Sequence, residues 1–434
     1  MVGRTVQIGL IGMGTVGTGV VRGFLERGGY LLRRSGVSMQ LRRICDRHAN
    51  EPHKGLRIDR SVLTTDVKQV LTDPEIDIII ELIGGIHPAK EYLLEAIRRG
   101  KHVVTANKAL LAEEGEAIFR SARQHRRLVF FEGSVGGGIP IVKALREGLI
   151  ANRIESIYGI INGTTNYILS TMDQMGCDLR DALGDAQRHG YAEKNPRLDL
   201  EGIDTAHKLA ILVLLAFGRR VPLNAIHVEG ITQLSGHDIR YARQLGYCVK
   251  LLAIAKRAQN RLEVRVHPTL LPSRHPLAAV NGVYNAILVR GDMAGDQLFY
   301  GRGAGQMPTA SAVLADTVQL AQQIIGGHIM PPLEEERSRG ARRLKPMLDI
   351  CSRYYIRCTV TDRPGVLAQI ARILGRHHIS IASVIQQERQ RARSVPIVLM
   401  THDALERDLR LALGQIDRLP IARQPSVAIR MEEL

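Results

Sequence analysis

Val6-Gln7-Ile8-Gly9-Leu10-Ile11-Gly12-Met13-Gly14-Thr15-Val16-Gly17 is the stretch that decides the fold. Six largely apolar residues read as a strand. They run straight into a G-x-G-x-x-G turn, and a helix continues from about Thr15. Each glycine has a task in that setting. Gly12 makes the tight turn, Gly14 lets the backbone approach a pyrophosphate, and Gly17 permits close packing of helix on strand. The helix N-terminus adds unpaired N–H groups and the positive end of its dipole. Residues 12–17, with Met13, Thr15 and Val16 between the glycines, therefore read as a cofactor-binding cradle.

Outward from this turn, strands and helices alternate to about residue 140. Leu41 to Asp46 reads as a second strand, and Ile76 to Ile83 as a strand buried on both faces. His102-Val103-Val104-Thr105 and Leu128-Val129-Phe130-Phe131 supply two more, with helical stretches over 88–99 and 109–125. This alternation predicts a doubly wound parallel sheet. The residue ending the second strand reads the cofactor's ribose: an acid favours a free 2′-hydroxyl, and a base tolerates a 2′-phosphate. Asp46 and Arg47 are adjacent there, so NAD and NADP both stay open.

At 434 residues the chain has room for two or three domains. Residues 141–325 read as mixed α and β, with helices near 141–149, 163–175, 178–189, 203–217 and 309–325 and strands near 153–161 and 284–290. The last helix is expected to return to the nucleotide domain of residues 1–140. Residues 326–349 read as a linker, and 350–434 start afresh with a strand, a Pro-Gly turn, a helix and a strand. The longest apolar run, Leu209 to Phe217, is far short of the ~20 residues a membrane span needs. No signal segment opens the chain, so a cytoplasmic location is expected. The five cysteines lack Cys-x-x-Cys spacing and read as free thiols. Of the 59 basic residues 48 are arginine, spread along the chain, and aromatics make up 4%, which argues against a nucleic-acid partner.

Two segments are dense in polar groups. Val103-Val104-Thr105-Ala106-Asn107-Lys108 stands at the C-terminal end of a parallel strand, the edge where such sheets collect ligands. A solvated loop lysine is the bland alternative for Lys108. In the second segment, Gly190 to Lys208, a loop with Glu193 and Asp199 leads into an apolar helix on which Asp204 and Lys208 lie four apart. An ordinary i,i+4 ion pair is the alternative there. The adjoining Leu209-Ala210-Ile211-Leu212 carries that end toward the interior, making Lys208 a candidate acid or base. A third stretch, Glu132 to Pro140, is too glycine-rich for regular structure. Its residues alone fit a crossover between domains better than a cation loop.

Together these segments resemble homoserine dehydrogenase over essentially the whole chain. The resemblance rests on Ile8 to Gly17, on Thr105 to Lys108, on Asn162-Gly163-Thr164-Thr165-Asn166-Tyr167-Ile168-Leu169, on Gly190 to Lys208, and on Gly301-Arg302-Gly303-Ala304-Gly305 to Thr309. Asn195 departs from the pattern, which more often has Asp there. The resemblance implies reversible NAD(P)H-dependent reduction of L-aspartate 4-semialdehyde to L-homoserine, on the route to threonine, isoleucine and methionine. It implies Lys208 as proton donor, Lys108 as its assistant at cofactor and substrate, and Glu193, Asp199, Asp204, Asn162 and Thr164 around the substrate. It adds Thr105, Gly190, Gly303 and Gly305 to the cofactor site. Glu132, Val135, Gly137 and Ile139 would form a sodium loop, largely through carbonyls, in place of the crossover reading.

Residues 354–434 resemble an ACT domain, a ferredoxin-like βαββαβ module that binds amino acids. Asp362, Pro364, Gly365, Val366 and Leu367 form the turn into its first helix, whose N–H groups can hold a carboxylate. Feedback by L-threonine and a homodimer or homotetramer are the implied properties. The whole is thus expected to be α/β: a Rossmann-type doubly wound sheet, a mixed α+β catalytic and dimerisation domain, and the C-terminal module. Another amino-acid dehydrogenase, or a non-catalytic amino-acid sensor, is the competing reading, and the intact Lys108, Glu193, Asp204 and Lys208 argue against the sensor.

Overall fold

The computed structural model describes residues 4–49, 51, 55–327, 343–386 and 394–433. To residue 155 the chain passes through β1 (Val6–Ile11), α1 (Thr15–Ser35), β2 (Met39–Cys45), β3 (Leu63–Thr64), α2 (Lys68–Leu71), β4 (Ile78–Glu81), α3 (Ala89–Arg98), β5 (His102–Thr105), α4 (Lys108–Gln124), β6 (Val129–Phe130) and α5 (Ile141–Lys143). Then come β7 (Ile154–Ile160), α6 (Gly163–Met175), α7 (Leu179–Arg188), α8 (Arg197–Leu200), α9 (Ile203–Phe217), β8 (His227–Val228), α10 (Gly236–Gln244), β9 (Tyr247–Ala258), β10 (Arg261–Pro272), β11 (Tyr284–Gly291), β12 (Gly295–Arg302) and α11 (Gln306–Gly326). The last part holds β13 (Arg343–Leu344), β14 (Cys351–Thr361), α12 (Val366–Arg376), β15 (Ile381–Gln386), β16 (Ser394–Thr401), β17 (Ala404–Leu405), α13 (Glu406–Ile416) and β18 (Val427–Met431).

Two compact units emerge. The first combines Met1–Glu155, His207–Ala225 and Asn285–Gly340; the second combines Ser156–Ala206, Ile226–Tyr284 and Ala341–Leu434. In the first unit a six-stranded sheet has the order β3-β2-β1-β4-β5-β6, parallel throughout. This is the Rossmann order, and it reverses between β1 and β4, where a ligand crevice opens beyond the strand ends. The reason is visible in burial: Ile78, Ile79 and Ile80 are fully buried, as a strand covered on both faces requires. α11 packs along α1, and two glycines make this possible. A Cβ on Gly19 would lie 2.9 Å from that of Ala310, and one on Gly23 only 2.3 Å from Leu314 Cδ1.

The second unit is built on a sheet in the order β7-β9-β10-β18-β14-β16-β15. Its long hairpin, β9 with β10, is missing from the sequence reading, which placed strands only near 153–161 and 284–290 in this region. β10 has an unusual inner face. Glu263, Arg265, His267 and Thr269 alternate as a strand face should, but they are polar and almost completely buried. Leu262, Val264 and Val266 alternate with them, so the period-two signal of a strand is present in the sequence; what it does not reveal is that both faces are buried.

The C-terminal module has the βαββαβ order β14-α12-β15-β16-α13-β18, with its strands arranged fourth, first, third, second. Tyr354, Ile356, Ile370, Leu374, Leu399 and Ala412 form its core. Of the stretch read as a linker, 328–342 lies outside the described residues, and Arg343–Leu344 pairs in parallel with Arg261 and Leu262. Among the described residues no helix is long and apolar enough to cross a membrane.

Candidate active site

The glycine turn stands at the reversal of the sheet. Gly12 adopts φ +98°, its N–H donates to Cys45 O at 2.8 Å, and a Cβ there would meet the Leu82 backbone at 2.7 Å. A Cβ on Gly17 would lie 2.1 Å from Gly12 O, so helix and turn touch through that glycine. Gly14 is the opposite case: it is exposed, and nothing lies within 4 Å of the same position. Exposed Thr15 and half-buried Val16 follow, and Met13 is buried. A cleft of about 720 Å³ opens here, lined among others by Gly12, Gly14, Asp46, Arg47, His48 and His87. Room at Gly14, backbone amides and a helix N-terminus fit a dinucleotide pyrophosphate.

Asp46 turns inward. Its carboxylate accepts the Met13 N–H at 2.6 Å and the His48 N–H at 2.8 Å, bracing the turn from the end of β2. Arg47 and His48 are left exposed on the rim of the cleft.

The ends of β4 and β5 are joined by a buried relay that sequence reasoning missed. Glu81 is completely buried, and accepts the Thr105 hydroxyl at 2.6 Å and the Ile83 N–H at 2.9 Å. Burial pushes its carboxyl above the usual carboxylate range, against these hydrogen bonds. Thr105 accepts the Asn107 N–H in turn, and Asn107 caps α4 by accepting the Leu110 N–H while donating to Gly85 O at 2.6 Å. The one available signal was an acid embedded in the run Ile78-Ile79-Ile80-Glu81-Leu82-Ile83. Lys108, half-buried, is thereby placed at the first helical position of α4. His207 Nε2 lies 3.5 Å from Glu113 Oε1, linking α4 to α9, where the neighbouring Lys208 is 7% exposed.

Two glycine loops meet in the same unit. Gly138 N–H donates to Arg302 O at 3.0 Å, and a Cβ on Gly137 would be 2.5 Å from Gly303 O. Gly303 is buried against the side chain of Asn285, whereas Gly305 is exposed and begins α11 with φ +123°. The Glu132 carboxylate accepts the Val142 and Lys143 N–H groups, both at 2.8 Å. Val135, Gly137 and Ile139 are buried, and the Ile139 carbonyl already accepts the Ile141 N–H. Among the described residues no group of three or more His, Cys, Asp or Glu is placed for a metal.

In the second unit the predicted substrate residues divide. The Asn162 amide donates to Asp199 Oδ1 at 2.6 Å and Asp204 Oδ2 at 2.9 Å, while its oxygen caps α6 by accepting the Thr165 N–H. Asn162, Asp199 and Asp204 therefore form one cluster, with Asp204 one turn before Lys208 along α9. The Thr164 hydroxyl donates to Tyr191 O at 2.8 Å, tying α6 to the turn begun by exposed Gly190 at φ +73°. Glu193 is exposed, and its backbone carbonyl accepts from Gln187. In the C-terminal module Gly365 takes φ +86° at the N-cap of α12. Val366 is buried, Asp362 and Leu367 are half-buried, and Pro364 is exposed.

A family model described as homoserine dehydrogenase matches residues 140–318, its NAD-binding-domain model matches 12–132, and an ACT domain model matches 354–421. The homoserine dehydrogenase of Neisseria gonorrhoeae is 42% identical, with 99% of each chain covered. The chain belongs to the homoserine dehydrogenase family. It is an NAD(P)-dependent oxidoreductase acting on CH–OH groups. The crystal structure of a homoserine dehydrogenase from Thiobacillus denitrificans superposes with a TM-score of 0.92 at 45% identity, covering 99% of this chain and 98% of that one. A hyperthermophilic archaeal homoserine dehydrogenase in complex with NADPH, 26% identical, covers 76% of this chain and 100% of its own with a TM-score of 0.64.

Proposed function

We propose that the chain interconverts L-aspartate 4-semialdehyde and L-homoserine with Lys208 as the proton donor to the carbonyl oxygen. The nicotinamide supplies or takes the hydride at C4. Lys208 then has one task, delivering a proton to the oxygen that gains charge, and Lys108 at the start of α4 assists it. Asp199 and Asp204, pre-set by Asn162, hold the amino group of the substrate, and Glu193 and Thr164 close the same end. The observation that carries this reading is the Asn162 bridge, which assembles two carboxylates next to the turn of helix that bears Lys208.

Three finer assignments go with it. Asp46 is spent on the glycine turn, while Arg47 and His48 border the cleft, which supports NADP over NAD. The archaeal relative's NADPH is consistent with that preference. The carbonyls of Glu132, Val135, Gly137 and Ile139 hold a sodium ion, and Thr105, Gly190, Gly303 and Gly305 complete the cofactor site. The C-terminal module binds L-threonine at Asp362–Leu367 and lowers turnover, in a cytoplasmic homodimer or homotetramer.

Steady-state oxidation of L-homoserine, with NAD or NADP and with or without millimolar L-threonine, tests all of this. Homoserine-dependent reduction of the nucleotide is expected, with the higher kcat/KM for NADP. No reduction with either nucleotide would remove the catalytic reading.

A further inference from the structure

A line of ion pairs, buried at Arg430 and Glu406, crosses the second unit, and no part of the catalytic reading uses it. β10 and β18 pair in parallel at Thr269 and Leu270 against Arg430 and Met431, which puts the 5%-exposed Arg430 on the seam with the C-terminal module. Its guanidinium is gripped from two sides. Nη1 and Nη2 donate to Glu229 Oε2 and Oε1 at 2.7 and 2.9 Å; Nε and Nη2 donate to Glu406 Oε2 and Oε1 at 2.9 and 2.6 Å. Glu406 is the first residue of α13, and it also accepts the Tyr354 hydroxyl at 3.0 Å and Arg410 Nε at 2.9 Å.

The line continues past Glu229. Its N–H donates to Val266 O at 2.8 Å, and the next two residues press on the turn between α8 and α9. Ile231 N–H donates to Leu200 O at 2.9 Å. A Cβ on Gly230 would lie 2.1 Å from Leu200 O and 2.6 Å from Glu201 Cα, so the two backbones are in direct contact. From the other side Gly202 faces Val228 Cγ1 and Val266 Cγ1, where a Cβ would lie 3.2 and 3.3 Å away. Asp199 stands just before that turn and Asp204 just after it.

We propose that Arg430 is a positioning residue for the substrate. Through Glu229 it sets the 199–204 turn, and through Glu406 it makes that turn answer to the C-terminal module. The inference rests on the reading of Asp199 and Asp204 as substrate carboxylates. An ion pair that merely glued the module on would end on a surface free to move. Here the side chain of Glu229 is clamped to Arg430, while the backbone that follows it has no space to shift against Leu200 and Glu201. Close-packed groups without slack pass a displacement on instead of absorbing it.

The test uses the full-length chain with Arg430→Met, Arg430→Lys and Glu229→Gln. In Arg430→Met the KM for L-homoserine is expected to rise about tenfold, with the KM for the nucleotide changing less than about twofold. Arg430→Lys keeps the charge without the two-sided fork and should recover only part of the loss. The double variant Arg430→Met with Glu229→Gln should be no worse than the worse single one, because both cut one link. If Arg430→Met does not fold, the other two carry the measurement. An unchanged homoserine KM in folded variants overturns the inference. So does an equal rise in both KM values with a lowered unfolding temperature, the mark of a purely structural role. A parent chain that does not oxidise homoserine takes down the functional reading and this inference together; an active parent with unaltered variants takes down only the inference.

Discussion

The glycine turn of residues 12–17 and the carboxylate turn of residues 199–204 solve the same problem by opposite means. Each fixes a set of polar groups in space. At the first, the groups are backbone amides, and the sequence requirement is the absence of side chains where the chain folds on itself. At the second, they are side chains aimed by other side chains: Asn162 reaches Asp199 and Asp204 across 37 and 42 residues of sequence. The first arrangement is shaped by local geometry and braced by Cys45 and Asp46 at the end of β2. The second exists only when distant segments are docked. A site built on amides should therefore fail by steric intrusion, and one built on side chains by loss of a single contact.

The largest effect tests the proposed proton donor. Lys208→Ala should lower kcat by about 10²–10⁴-fold, the usual worth of a placed proton donor, while nucleotide binding and unfolding temperature stay close to the parent's. Turnover within a few-fold of normal would remove Lys208 from the mechanism, and with it the idea that the two turns serve one reaction.

A second pair of variants separates structure from ligand within the glycine turn itself. A Cβ at position 17 would meet Gly12 O at 2.1 Å, so Gly17→Ala should lower the unfolding temperature by several degrees and weaken the nucleotide as a consequence. Position 14 is open and has φ −67°, which any residue adopts. Gly14→Ala should leave the unfolding temperature within about 2 °C, because it strains nothing, yet raise the nucleotide KM, because the methyl occupies the pyrophosphate's place. Equal thermal losses in the two variants would contradict the division of labour between these glycines.

The smallest effect concerns the sheet that carries the glycine turn. His102 is buried and its Nδ1 accepts the Leu128 N–H at 3.1 Å, so the ring must be neutral. Burial, then the nearby Arg127, pushes its pKa from the ordinary 6.5 to about 4. A base depressed in the folded state takes up its proton first in the unfolded one. Stability should therefore be intact above about pH 6.5 and fall as pH drops toward 4, by at most about 3 kcal/mol. His102→Gln, which can still accept from Leu128, should flatten that slope in acid denaturation curves; an unchanged slope would assign the acid sensitivity elsewhere.

Much of the architecture could be read without coordinates because its causes are local. Val6 to Gly17 declares a strand, turn and helix by its own residues, and Ile76 to Ile83 declares a doubly covered strand by its composition. The β9–β10 hairpin shows a strand's alternation from Leu262 to His267, but no local pattern says that its polar face is inward: Glu263, Arg265, His267 and Thr269 are buried and satisfied by partners such as Glu432 that come from far along the chain. Asp46 shows the same limit. Its position at the end of the second strand suggests a ribose reader, but whether its oxygens are available depends on where the Met13 and His48 amides point.

What the sequence determined by itself, then, is the nucleotide fold and the βαββαβ module, since backbone freedom and periodicity are properties of short segments. The tertiary structure alone decided that Asn162 binds Asp199 and Asp204 into one cluster, that Asp46 accepts the Met13 and His48 N–H groups, and that Arg430 bridges Glu229 and Glu406. Each of these depends on a side chain meeting a partner from a distant segment, and the free energy of such a meeting is set by packing that no local pattern encodes.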